Sequence, residues 1–299
     1  NISREMLQQS PLIAKIRSGT VNRLLKELKN RSKDYDDYKK FWDAFGIAFK
    51  EGIYEDFANR TEIAELSRFY STKDPERLTS LDEYISRVQP EQKAIYYITG
   101  DDVKTLVNNP QLEAFKAKGI EVLLLVDPID EFWTQTLLNY KDFAIKHISQ
   151  ADIDLGLKRE EPKAEEGALK KLTDLMSEMF KDEVGKVTTT DKLTKSPASL
   201  TVEDGQMSIH LERLMRNHQQ QTAFASSRVL QLVLLADIPR LKRQTGKELS
   251  EALGDEALRP KVEEISRILL DQAKIAEGEA ITDPSYFSEK LSEYILKAI

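Results

Sequence analysis

Two residues near the start of the chain carry its most pointed chemistry. Arg4 and Gln8 lie four positions apart, so on a short helix capped by Ser3 they share one face, while Met6 and Leu7 point elsewhere. Ser10 followed by Pro11 reads as an N-cap with proline at the first position of a second helix. A cation and a carboxamide on such a corner suit a phosphate, although a lone arginine is more often a solvated surface charge. The densest carboxylate group is Asp127, Asp130 and Glu131, a set that hard cations or acid/base chemistry can use. Pro128 breaks its geometry, and a strand-end turn followed by an acidic helix start is the commoner meaning. Gly100 with Asp101 and Asp102 lacks a second glycine at phosphate-loop spacing, so it reads as a turn and helix start. His210 and His218 are too far apart, with too few partners, for a metal site.

Composition narrows the classes. The chain has 299 residues, 40% hydrophobic and 32% charged, enough for two globular domains with substantial cores. Lys and Arg total 44 against 51 Asp and Glu, and the formal charge of -7 argues against a general nucleic-acid binder. There is no cysteine, which excludes disulfides, thiolate metal sites and a Cys nucleophile, and is compatible with a reducing cytosol. The longest apolar runs, Val122 to Val126 and Val229 to Ala236, fall far below the roughly 18 residues of a membrane span.

The elements that must position these residues follow from periodicity. Leu12, Ile16, Val21, Leu24 and Leu28 recur at near-helical spacing, and Tyr38, Phe41, Trp42, Phe45 and Phe49 repeat the pattern on a second helix, an aromatic stripe expected in the core. Ala94 to Ile98, Glu121 to Val126 and Ala144 to Ile148 read as strands, with helices at Ser80 to Arg87, Val103 to Asn108, Leu112 to Lys118 and Phe132 to Leu138. Strands alternating with helices predict a parallel or mixed sheet covered by helices. Lys158 to Gly167, charged and proline-containing, is the expected linker, followed by a helix from Leu169 to Phe180 and a β-rich stretch from Val184 to Thr190. Met207, Leu211, Leu214 and Met215 form an apolar stripe on a short helix. Leu258, Val262, Ile265, Leu269, Gln272 and Ala276 alternate intervals of four and three, the seam of a helix lying nearly parallel to a neighbour. After Gly278, Phe287, Leu291, Tyr294 and Ala298 continue that rhythm. The hairpin carries more apolar surface than one helix covers, which predicts a four-helix bundle across a dimer.

NISREMLQQSPLIAKIR, LTSLDEYISRVQPEQKAIYYITGDD and LEAFKAKGIEVLLLVDPIDEFW, in this order, resemble the ninety-kilodalton heat-shock chaperones in their bacterial form. The resemblance spans nearly the entire chain and is strongest before residue 150. Arg228 to Asp237 departs from it, standing where relatives usually carry a shorter strand and an Asn-Pro-x-His-like turn.

The resemblance implies an αβα layered middle domain over residues 1–155 and an α+β C-terminal dimerisation domain over 156–299, ending in a helical hairpin. The opening on Asn1, inside a motif the family places well within a longer protein, implies a middle plus C-terminal fragment of a cytoplasmic bacterial chaperone. Arg4 would then contact the γ-phosphate of ATP held with Mg by a separate N-terminal domain, and Gln8 would support the same loop, the fragment alone being inactive and without a cofactor of its own. Met207, Leu211, Leu214 and Met215 would contact non-native client protein, and Leu258, Val262, Ile265, Leu269, Phe287, Leu291 and Tyr294 would form the homodimer. Neither nucleic acid nor membrane is an expected partner. The alternatives are a free-standing α/β metal-dependent enzyme built on Asp127, Asp130 and Glu131, and a purely structural dimerisation module.

Overall fold

A computed structural model describes residues 11–149, 155, 163–190, 192–202, 208–218, 230–235 and 253–298. The chain divides into two compact units, residues 1–95 with 123–145, and residues 96–122 with 146–299. The single boundary expected near residue 155 falls among residues mostly outside those described.

In the first unit, α1 (Pro11–Arg31) and α2 (Tyr35–Glu55) are joined where Asp34 caps α2 by accepting the Asp37 N–H at 3.0 Å. Arg31 holds Asp37 from the preceding helix through two hydrogen bonds of 2.7 and 2.9 Å. Next come α3 (Arg60–Leu66), β1 (Tyr70–Ser71) and α4 (Leu81–Ser86). A reciprocal capping box starts α4: Ser80 Oγ accepts from Glu83 N–H and Glu83 Oε2 accepts from Ser80 N–H.

The chain continues through β2 (Ala94–Thr99), α5 (Val103–Val107), a 3-10 turn at Pro110–Leu112, α6 (Glu113–Ala117), β3 (Val122–Leu125), α7 (Asp130–Thr136), β4 (Asn139–Tyr140) and β5 (Phe143–His147). Five strands form one mixed sheet in the order β1-β3-β2-β5-β4. β1 is antiparallel to β3 with Tyr70 opposite Leu124, and β4 is antiparallel to β5 across a tight turn in which Lys141 takes a φ of 52°. The buried β3, Val-Leu-Leu-Leu, is apolar on both faces, as a covered strand must be. In the first unit α2 packs on α3 and α7, burying Tyr38, Trp42 and Ile53.

The second unit includes α5, the 3-10 turn and α6 from residues 96–122 and is otherwise built on α8 (Lys163–Met179), β6 (Lys186–Thr190), β7 (Ala198–Val202), α9 (Ile209–His218), β8 (Leu230–Leu235), α10 (Arg259–Ala276) and α11 (Pro284–Ala298). Its sheet runs β6-β8-β7, with β8 parallel to β6 and antiparallel to β7. The apolar run that departs from the family pattern therefore contains the central strand, Leu232 facing Val187 on one side and Leu200 on the other. α8 packs on β6 and α10 on β7, and Leu172, Met176, Leu200, Leu234, Val262 and Leu269 share the resulting core. α8 starts at Lys163, inside the stretch expected as linker, because Ala164, Glu165 and Glu166 after Pro162 favour a helix start.

Candidate functional site

The carboxylate group at the end of β3 is the place to look for catalytic chemistry. Asp127 follows the strand and Asp130 opens α7, but Lys50 of α2 reaches both: Lys50 Nζ lies 2.5 Å from Asp127 Oδ2 and 2.7 Å from Asp130 Oδ1. Trp133 Nε1–H donates to Asp130 Oδ1 at 2.6 Å, and the Asp127 N–H donates to Asp130 Oδ2 at 3.0 Å. Phe69 caps the ammonium, its ring centre 5.6 Å from Lys50 Nζ, and lies 5.5 Å from the Trp133 ring. Burial alone would pull the Lys50 ammonium down, but Asp130 and Asp127 outweigh it and hold the group above its ordinary value.

Both Asp130 oxygens are committed to donors, so this is an internal ion pair that ties α2 to the β3–α7 turn. Glu131 is buried beside it on α7. Among the described residues no group of three His, Asp or Glu side chains is placed to hold a metal ion. The enzyme alternative built on Asp127, Asp130 and Glu131 is thereby not favoured. Lys50 was the missing piece, and its signal lay in the register: Trp42, Gly46, Lys50 and Ile53 follow one another at helical spacing on the buried face of α2.

The other expected site residues are distributed. Arg4, Gln8 and Met207 lie outside the described residues. On α9, Leu211 is buried, Leu214 is half-buried and Met215 is 39% exposed. Arg213 on the same helix donates to the Glu277 carbonyl at 2.7 Å and pairs with Asp101 at 2.5 Å, fixing which face of α9 turns inward. His210 is buried with Nδ1 3.1 Å from Arg213 Nη2, so it serves this polar contact.

Of the residues expected at a dimer seam, Val262, Ile265 and Leu269 are buried in the chain's own core, and Leu258 and Tyr294 pack partly against it. The expected surplus of apolar surface on α10 is covered by β7, a strand that periodicity did not reveal. Phe287 is half-buried, and the large apolar side chains exposed on α11 are Leu291, Ile295 and Leu296.

The aromatic stripe of α2 divides too. Tyr38 and Trp42 are buried, Phe41 and Phe49 are half-buried, and Phe45 is 61% exposed, which corrects its place in the expected core. The five aromatics spread over more of the helix circumference than α3 and α7 cover, so Phe45 is left stacked on Phe41 at 5.9 Å.

A second group of exposed apolar side chains went unnoticed in the sequence. Tyr54, Phe57, Phe132 and Leu138 are all exposed, Phe57 by 82%. The Tyr54 and Phe132 rings meet edge to face at 6.1 Å, and the Arg60 guanidinium lies 4.9 Å from the Phe57 ring centre. Arg60 also donates to the carbonyls of Ile53, Tyr54 and Thr136, binding the end of α2 to the end of α7. These contacts hold a frame that presents aromatic rings to solvent, the kind of surface that contacts other polypeptides.

These features define the class: a mixed α/β protein whose clustered carboxylates at the end of β3 serve an internal ion pair and which exposes aromatic and aliphatic side chains among its described residues. The chain belongs to the Hsp90 protein family, whose model matches residues 1–299. Chaperone protein HtpG of Paramagnetospirillum magneticum is 39% identical, the match covering 100% of this chain and 48% of that protein. Chaperone protein HtpG of Wolbachia pipientis wMel is 37% identical over 99% of this chain and 47% of its own, and that of Nitrosomonas eutropha is 38% identical over 100% and 46%. The chain thus spans about half the length of the curated relatives it matches.

Proposed function

We propose that the chain is the middle and C-terminal segment of an ATP-dependent bacterial chaperone that binds non-native polypeptides and dimerises through α11. The observation that carries this reading is the family match across all 299 residues with relatives named as chaperones. Client protein would be held on the exposed rings of Tyr54, Phe57 and Phe132 and on Leu214 and Met215 of α9, with Met207 beside them in sequence. Methionine and aromatic side chains suit varied apolar partners because they adapt or offer large faces. The dimer would use Leu291, Ile295 and Leu296, joined by Phe287, with Val262, Ile265 and Leu269 supporting the helix from beneath.

ATP with its Mg would be held by an N-terminal domain outside this chain, and Arg4, with Gln8 supporting its loop, would meet the terminal phosphate when that domain closes. A guanidinium there stabilises charge that develops in phosphoryl transfer. The compartment that goes with this reading is the bacterial cytoplasm.

The test has two arms. Joined to an upstream nucleotide-binding domain, the Arg4→Ala chain should lose ATP turnover while still binding nucleotide; unchanged turnover removes Arg4 from the mechanism. Suppression of aggregation of an unfolding protein should fall when Leu214 and Met215 are both changed to Ser. If suppression never occurs with the intact chain, the structural-module reading replaces this one.

A further inference from the structure

The loop between β1 and α4 borders a surface cavity of about 230 Å³, separate from the Lys50 ion pair and the exposed rings. One water needs roughly 10–15 Å³ on this measure, so a polyatomic ion has room. Three cations, Lys73, Arg77 and Arg87, line this one opening in a chain whose formal charge is -7.

The two carboxylates at the rim are hydrogen-bonded within the loop and the helix start. Glu83 Oε2 accepts from the Ser80 N–H at 2.8 Å and from Thr79 Oγ1 at 3.1 Å. Asp74 Oδ1 accepts from the Glu76 N–H across its own turn at 3.1 Å. The start of α4 adds nothing, since its cap is filled by Ser80 and the helix is short. By contrast, neither the Lys73 ammonium nor the Arg77 guanidinium has an anionic partner among the described residues.

Arg77 is nevertheless held in place. Its guanidinium lies 4.6 Å from the Tyr35 ring centre, and the Tyr35 hydroxyl accepts the Leu78 N–H at 3.2 Å, which fixes the ring against the loop. Ser71 is 2% exposed and lines the cavity; its Oγ accepts the Lys73 N–H at 3.2 Å, leaving the hydroxyl proton without an acceptor among the described residues. Arg87 Nη2 donates to Thr79 Oγ1 at 2.8 Å on the far wall. A compact ammonium, a planar fork pre-set on an aromatic face and a buried hydroxyl donor thus border one opening, a donor set suited to an anion with several oxygens.

We propose that this cavity is a binding site for a phosphate-type oxyanion, received by Lys73, Arg77 and Ser71. The source is either free phosphate or the monoester of a phosphorylated ligand.

Calorimetric titration of the whole chain with inorganic phosphate, phenyl phosphate and acetate at matched ionic strength tests it. Saturable binding of phosphate or the monoester, at least tenfold tighter than acetate, is expected, with equal affinities assigning the site to the free ion and a tighter monoester to a phosphorylated ligand. Lys73→Gln with Arg77→Gln should weaken binding at least tenfold. Arg77→Lys, which keeps the charge and loses the fork, should weaken it severalfold, and ligand-free melting should match the parent chain in both. Absence of saturable binding, equal binding of acetate, or full affinity in the Lys73 and Arg77 variants would each overturn the proposal.

Discussion

Lys50 Nζ and Asp130 Oδ1 stand 2.7 Å apart with both side chains almost wholly buried, although the residues are 80 positions apart in sequence. The pair turns what reads as an acidic cluster into a structural clamp. Removing one partner of a buried ion pair leaves the other as an uncompensated charge, whereas the intact pair contributes modestly over an apolar replacement. Lys50→Met, which strands Asp127 and Asp130 together, should cost about 3–5 kcal/mol. Urea unfolding followed by Trp fluorescence measures it; a midpoint unchanged from the parent would show that the clamp carries no stability.

Acid should loosen the second unit through two carboxylates. Burial opposes ionisation of Glu183, but Arg267, Lys274 and Thr282 outweigh it and bring its pKa to about 2. Glu264 is likewise opposed by burial and brought to about 2 by Lys261, Tyr294 and Lys290. Both groups bind protons more readily in the unfolded chain, so their stabilisation is complete above the ordinary value of 4.5 and is lost as pH falls toward 2. Urea midpoints should therefore decline from pH 4.5 downward, and Glu183→Gln should flatten that decline. A slope identical in the variant would remove Glu183 from the account.

Gly278 ends α10 with a φ of +71°, and a Cβ built there would come within 2.1 Å of Arg213 Nη1. Gly278→Ala should cost about 1–2 kcal/mol for the left-handed backbone alone, and it should also push Arg213 off the Glu277 carbonyl. Because Arg213 holds α9, limited proteolysis within residues 209–218 should accelerate in the variant. Parent-like cleavage would show that α9 is held by other contacts.

The exposed rings near Arg60 predict a split between stability and activity. Phe57→Ser with Phe132→Ser should shift stability by less than about 0.5 kcal/mol per site, as exposed substitutions generally do. Suppression of client aggregation should nevertheless drop. If suppression is unaffected in a well-folded variant, client contact lies elsewhere, with α9 the remaining candidate.

On α11, Leu291→Ser with Leu296→Ser should weaken the proposed dimer at least tenfold, read by sedimentation equilibrium, and leave helical content unchanged. Val262→Ala should instead destabilise by about 1–3 kcal/mol, because it opens a cavity in the monomer core. A Val262 variant that dissociated without losing stability would reverse these assignments.

Local chemistry was legible wherever one segment decided its own structure. The helix that opens at Ser80, the helix start at Asp102 and the strands at Ala94 and Val122 all follow from neighbours a few residues away. The β7 strand, Ala-Ser-Leu-Thr-Val after a Ser-Pro turn, was missed, because its alternation of apolar and polar residues spans only five positions and opens on Ala, and pairing with β8 is what completes it as a strand.

By itself the sequence determined the mixed helix and strand content and the family, because those rest on periodicity, caps and motif order. Only the tertiary structure decided which charges and apolar faces were already in use. Lys50 closes the Asp127 and Asp130 group, Glu113 receives the N–H groups of Thr194, Lys195 and Ser196, and β7 covers Val262 and Leu269, leaving Leu291, Ile295 and Leu296 outside. The physical reason is the same in each case: a charge is paired, or a face is buried, by whatever the fold brings beside it, and sequence spacing does not record partners some 80 positions away.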